Sequence, residues 1–161
     1  MAAVAWSLND EALIAELREK KDLLQAAIFE RVNSLGAQLL QRVQGKLSGE
    51  VLNQRTGVLL RSVEWQAAEY VGAVCQTSVG IDEGQPSFVY AYVHEYGGQG
   101  YYTIAPDQAK ALAFEGPEGM IFAGRVNHPP AKETSYLRSS LDEMTDEIYA
   151  QLQETVSGVL A

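Results

Sequence analysis

One cysteine, Cys75, stands among 161 residues, which excludes an internal disulfide framework and any multi-cysteine zinc site. Histidine is nearly as scarce, and His94 and His128 leave little material for a metal centre. No apolar run approaches the roughly 18–20 residues that a membrane span needs. Residues 1–6, Met1-Ala2-Ala3-Val4-Ala5-Trp6, lack a basic start and a long apolar stretch, so no secretory signal is expected there. Basic residues are few: 12 Lys and Arg stand against 21 Asp and Glu, for a formal net charge of -9. Residues 1–80 carry 8 basic and 9 acidic groups, whereas residues 81–161 carry 4 and 12. The acidic excess therefore belongs almost entirely to the second half. A nucleic-acid binder needs basic groups for phosphate contacts. Lys110, Arg125, Lys132 and Arg138 are all this half offers, which argues against DNA or RNA binding through that surface. Nucleophile elbows, phosphate loops, His-Glu-x-x-His and dinucleotide fingerprints are also absent from the sequence.

What is present is ordinary globular composition, 47% hydrophobic and 20% charged, at a length that predicts one domain. Residues 10–48 read as helix. Ser7, Asn9 and Asp10 are N-cap candidates, and apolar residues recur from Leu13 to Leu47 at steps of three, four and seven. A single helix of that length measures about 57 Å, so a break near Asn33-Ser34 or a projecting end is expected. Gly36 costs it about 1 kcal/mol relative to Ala, and Ser48-Gly49 is its expected end.

Residues 56–126 read as mainly β. Val63, Trp65 and Ala67 alternate with Glu64 and Gln66, and a second run follows in Ala73, Cys75, Thr77 and Val79, with a turn expected at Tyr70-Val71-Gly72. The aromatic segment at 88–97 is admissible either as an alternating strand or as a short helix closed by Gly97-Gly98. Strands are expected at 101–104, 111–114 and 120–126, the last two joined by Glu115-Gly116-Pro117-Glu118-Gly119. Residues 134–159 form a closing helix, capped by Thr134 or Ser135, with Tyr136, Leu137, Leu141, Met144, Ile148, Leu152 and Val156 along one stripe. This order predicts an α+β fold: an antiparallel sheet packed against a long N-terminal helix and a C-terminal helix, with an extended β-hairpin.

Catalysis has thin support. His94-Glu95 is a possible acid/base pair and Cys75 a possible nucleophile. The plainer reading is a packed, hydrogen-bonded histidine and a buried inert thiol.

Three short segments carry more. Thr56-Gly57-x-Leu59-x-x-Ser62 follows the long helix. Tyr90-Ala91-x-x-His94-Glu95-x-Gly97 lies about thirty residues on. Tyr136-Leu137-Arg138-x-x-Leu141 opens the last helix. Each alone is explained by turn chemistry and aromatic packing. Together and in order they resemble the tailed-bacteriophage neck and tail-completion proteins, also described as head–tail joining or virion morphogenesis proteins. That family more commonly has Arg-Pro-Phe-Leu-Arg-Pro-Ala at the third segment, where Thr134-Ser135-Tyr136 and Ser139-Ser140 stand here.

The resemblance implies a structural virion protein with no cofactor or metal and no enzymatic role, working in the virion neck or tail after assembly in the host cytoplasm. Its partners would be further copies of itself in a ring, closed by heterologous contacts, and neighbouring connector and tail proteins. DNA would pass through without specific binding, and no membrane is involved. His94, Glu95 and Tyr96 would hold the aromatic segment against the sheet, with Gly97 ending it. A tail terminator, or the matching part of a prophage-derived tail-like particle, is the alternative. The acids Glu115 and Glu118 at the hairpin tip, and Asp142, Glu143, Asp146 and Glu147 on the last helix, are then expected to face the channel. The plainer alternative for the helix acids is a solvated face.

Overall fold

The computed structural model of the chain describes residues 10–50, 57–98 and 100–161. Its spine is α1, Glu11–Gly45. Asp10 caps it: Oδ1 accepts from the backbone N–H groups of Ala12 (3.1 Å) and Leu13 (3.4 Å), so the first orphan donors are satisfied. The other cap candidates, Ser7 and Asn9, lie outside the described residues. The helix does not break at Asn33-Ser34. A π turn, Lys46–Glu50, continues it to a kink at Gly49.

The short helix α2, Val58–Ser62, leads into the strands β1, Glu64–Val71, and β2, Val74–Gly80. These pair antiparallel with Val71 opposite Val74, so the turn sits on Gly72-Ala73 rather than on Tyr70-Val71-Gly72. A register shift between Gln66 and Glu69 leaves Ala68 outside the ladder. Its N–H is taken by Asn33 Oδ1 at 2.9 Å. The asparagine expected to break α1 is instead the clip between helix and hairpin.

The aromatic segment is the helix α3, Phe88–Tyr96. Beyond it come β3, Tyr102–Ile104, β4, Leu112–Gly116, β5, Gly119–Ala123, and β6, Val126–His128. β4 pairs with β5, closing over Pro117-Glu118, and β3 pairs with β6. The strand expected over 120–126 is therefore two: after Gly124-Arg125 the chain is drawn onto β3. The fold is α+β with the long helix, the closing helix and the extended hairpin expected. Among the described residues, however, its antiparallel pairs form three separate two-stranded sheets. Among the described residues no helix is long and apolar enough to cross a membrane.

The last helix, α4, Tyr136–Leu160, runs antiparallel along α1. Lys46 Nζ reaches Glu143 Oε1 (2.6 Å) and Ser139 Oγ (2.7 Å), Arg42 lies 3.5 Å from Glu147, and Arg31 donates to Gln151 (3.0 Å) and Thr155 (2.9 Å). The core is a cluster of Val43, Leu47, Leu59, Val63, Ala91 and Tyr136. Each neighbouring element contributes one or two residues, so no single pair of elements holds the core alone.

Gly36 lets α1 lie against the first hairpin. A Cβ there would stand 2.5 Å from both Trp65 Nε1 and Thr77 Oγ1, two atoms already bonded to each other at 2.9 Å. Helix propensity favours Ala at this position by about 1 kcal/mol, while overpacking costs about 1–3 kcal/mol. With that indole–hydroxyl pair unable to retreat without losing its bond, packing wins. Gly36→Ala is expected to lower the melting temperature by about 2–6 °C; a rise in a thermal melt would show that the contact yields.

Candidate functional site

The second and third sequence segments meet in space. α3 ends at Gly97, whose φ of 81° is open to glycine at little cost and whose N–H closes the helix on Val93 O at 2.8 Å. This turn carries Glu95 onto the start of α4. There Glu95 is 3% exposed. Its Oε2 accepts from Leu137 N (2.8 Å), and its Oε1 accepts from Arg138 N (2.9 Å) and Arg138 Nε (3.1 Å).

The carboxylate thus caps a helix whose bonded N–H groups lie 42 and 43 residues further along the chain, with its charge at the positive end of that helix's dipole. Neither Thr134 nor Ser135 does so. Ser135 sits in the left-handed region (φ 48°, ψ 44°) and makes no side-chain cap bond. Thr134 instead donates to His94 O through both its N–H (2.8 Å) and its hydroxyl (2.6 Å). The aromatic segment, expected to be held against the sheet, is tied by these bonds to the last helix.

Arg138 completes the joint. One Nη2 donates to Glu95 O (3.1 Å) and to Glu133 Oε1 (2.6 Å), and its guanidinium lies 4.6 Å from the centre of the Tyr96 ring. The bonds to Glu95 and then Glu133 raise its pKa further. Beside it Tyr136 is fully buried. Burial, and then the charge of Glu95, push its phenol well above the ordinary range, so it stays protonated.

The first segment joins the same region. Leu59 is in the core with Ala91 and Tyr136, and Ser62 Oγ accepts from the buried Ser87 Oγ at 2.7 Å. Gly57, at φ 67°, precedes α2, and Thr56 lies outside the described residues. One residue from each segment, Leu59, Ala91 and Tyr136, therefore sits in one cluster.

No family model, curated protein or solved structure matches this chain. Its chemistry is therefore read from the residues alone. Both oxygens of Glu95 are engaged by α4. His94 stands edge-on to Tyr90 at 4.3 Å between ring centres. Its Nδ1 and the Tyr136 hydroxyl are buried without a partner among the described residues. Cys75 lies on β2, and burial raises its thiol pKa, which lowers its reactivity at neutral pH. Among the described residues no group of three or more His, Cys, Asp or Glu is placed to hold a metal ion. A cavity of about 320 Å³ opens beside the joint, lined by Ile81, Phe88, Tyr92, Tyr96, Leu137 and Arg138 among others. It suits an apolar side chain better than a polar substrate.

The acids expected to face a channel divide. Glu143 and Glu147 turn to Lys46 and Arg42 of α1, because the antiparallel register sets two cations opposite them. Asp142 and Asp146 are exposed on the other side of α4, and Glu115 and Glu118 are at or near the tip of the β4–β5 hairpin. Sequence reading missed Ser87, Glu133 and Lys46. A lysine within an apolar helical stripe was the one available signal.

Two expectations follow. Glu95→Ala strips the cap and leaves two helix N–H groups short of partners, a cost of about 2–4 kcal/mol, read as a fall of about 5–15 °C in melting temperature; a fall under 1 °C would show the cap to be idle. Burial lowers the pKa of His94, so below about pH 6.5 the unfolded chain takes up a proton that the folded one resists. Stability from this group is complete above that pH and declines as the pH falls. His94→Gln should therefore melt with a shallower acid dependence than the wild type between about pH 8 and pH 5, and parallel curves would contradict this.

Proposed function

We propose that this chain is a structural virion subunit of the head–tail junction, forming a ring that joins or completes the tail around the DNA exit channel. The observation that carries this reading is exposed surface. Large apolar side chains stand outward on three of the described elements. Val89, Tyr90, Tyr92 and Tyr96 of α3 are outward, as are Phe114, Met120, Ile121 and Phe122 of the β4–β5 hairpin and Leu13, Ile14 and Leu17 of α1. Exposed apolar side chains, where they gather into a patch, mark contact surfaces. The carboxylate of Glu95, with both oxygens engaged by α4, favours an assembling role over a catalytic one.

On this reading Asp142 and Asp146 are the α4 acids available to a channel wall, where they discourage passing phosphate from sticking. The effect is short-ranged, since charges beyond about 8–10 Å are screened at physiological salt.

Electron microscopy of particles assembled without this protein tests the proposal. Filled heads beside detached tails of normal length are expected. Normal infectious particles would refute the reading, and overlong tails would replace it with a tail terminator.

A further inference from the structure

Among the described residues, two parts of this chain extend away from the body, and they match. The first is the start of α1. Among the described residues, the hydrogen bond from the body nearest the start of this helix is Tyr70 Oη to Gln25 O, at 2.7 Å. Residues 11–24 extend beyond it for about 21 Å. On this stretch Leu13, Ile14, Leu17 and Leu24 share a face spanning about 100°, and Leu17 is 59% exposed. Lys21 lies within that face and Lys20 at its edge, where it makes an exposed 3.9 Å pair with Glu16. Glu11, Glu19 and Asp22 fall on the opposite side.

The second part is the β4–β5 hairpin. Cross-strand partners share a face, so Phe114 and Ile121 stand on one side, and Met120 and Phe122 stand with Glu115 on the other. Phe122 is 71% exposed and Met120 58%. An isolated two-stranded hairpin is marginal in water, and this one carries large apolar side chains on both faces. Between residues 111 and 124 its charges are Glu115 and Glu118 alone. Its strands are about 17 Å long, close to the length of the free helix.

We infer that the hairpin of one copy docks on the free start of α1 in the next copy. Met120 and Phe122 lie on the Leu13–Leu17 stripe, and Glu115 and Glu118 approach Lys20 and Lys21. The contact rests on the ring reading above and supplies its interface. Each chain offers one arm and one seat of opposite charge, so the contact is head-to-tail and repeats around a ring. It places Glu115 and Glu118 in a subunit contact rather than on the channel wall.

The test is cross-linking of the purified full chain at millimolar concentration. With Cys75→Ala removing the native thiol, Leu17→Cys plus Phe122→Cys should oxidise to a ladder of covalent multimers. Either cysteine alone should give slow dimerisation at most. Lys20→Glu with Lys21→Glu, or Glu115→Lys with Glu118→Lys, should slow the ladder about three- to tenfold, and all four together should restore it. Far-ultraviolet circular dichroism shows whether each variant keeps its helices. A ring closed within one chain, no ladder, or Leu17→Cys alone linking as fast as the pair would overturn the contact, the last in favour of helix-to-helix pairing. The particle experiment is independent of this one. A ladder with normal particles would retire the head–tail reading alone, and no ladder with detached tails would retire the contact alone.

Discussion

The arrangement of this molecule depends on one carboxylate. Glu95 is buried because α3 ends where α4 begins, and it is tolerated there because three donors of α4 meet it. A buried carboxylate without such partners costs several kcal/mol, so the charge dictates where the two helices join. Once the joint is made, Tyr136 falls into the core beside Ala91 and Leu59, and Arg138 closes over Tyr96. The left-handed Ser135 fits the same logic. A strained backbone persists where surrounding bonds over-determine it, and here bonds on both sides hold it.

The second constraint is the long contact between α1 and α4. Lys46 is buried, yet its ammonium is matched by Glu143 and Ser139. Arg42 and Arg31 continue the row toward the solvent, where such pairs contribute less. This row sets the register of the two helices, and that register decides which acids of α4 remain outward. Gly36 performs the same service on the other side of α1, where a missing side chain allows the hairpin to approach.

Local periodicity made the helices legible. The apolar steps from Leu13 to Leu47 and from Tyr136 to Val156 each describe one face, and Asp10 was recognisable as a cap from its type and place. The β1–β2 hairpin was legible for the same reason, within a residue or two at the turn. The aromatic segment was ambiguous because Tyr90, Tyr92, His94 and Tyr96 alternate while also fitting a helix. What settles it is Glu95 reaching residues 42 and 43 positions away, a contact no local pattern encodes. The same applies to Glu143 and Glu147, which looked like part of an acidic face until the register of α1 and α4 supplied their cations. Three separate sheets were not legible either, since alternation reveals strands but not their neighbours.

The α1–α4 contact also governs the order of events at birth. Lys46 and its partner Ser139 are separated by 93 residues of chain. At a synthesis rate of about 5–20 residues per second, the apolar face formed by Val43 of α1 and Leu47 of the π turn waits roughly 5–20 s for the helix that covers it. During that interval the nascent chain can close its local hairpins but not its core. It is then dependent on whatever shields an uncovered apolar helix, which makes the period before α4 arrives the most vulnerable stage in the life of the molecule.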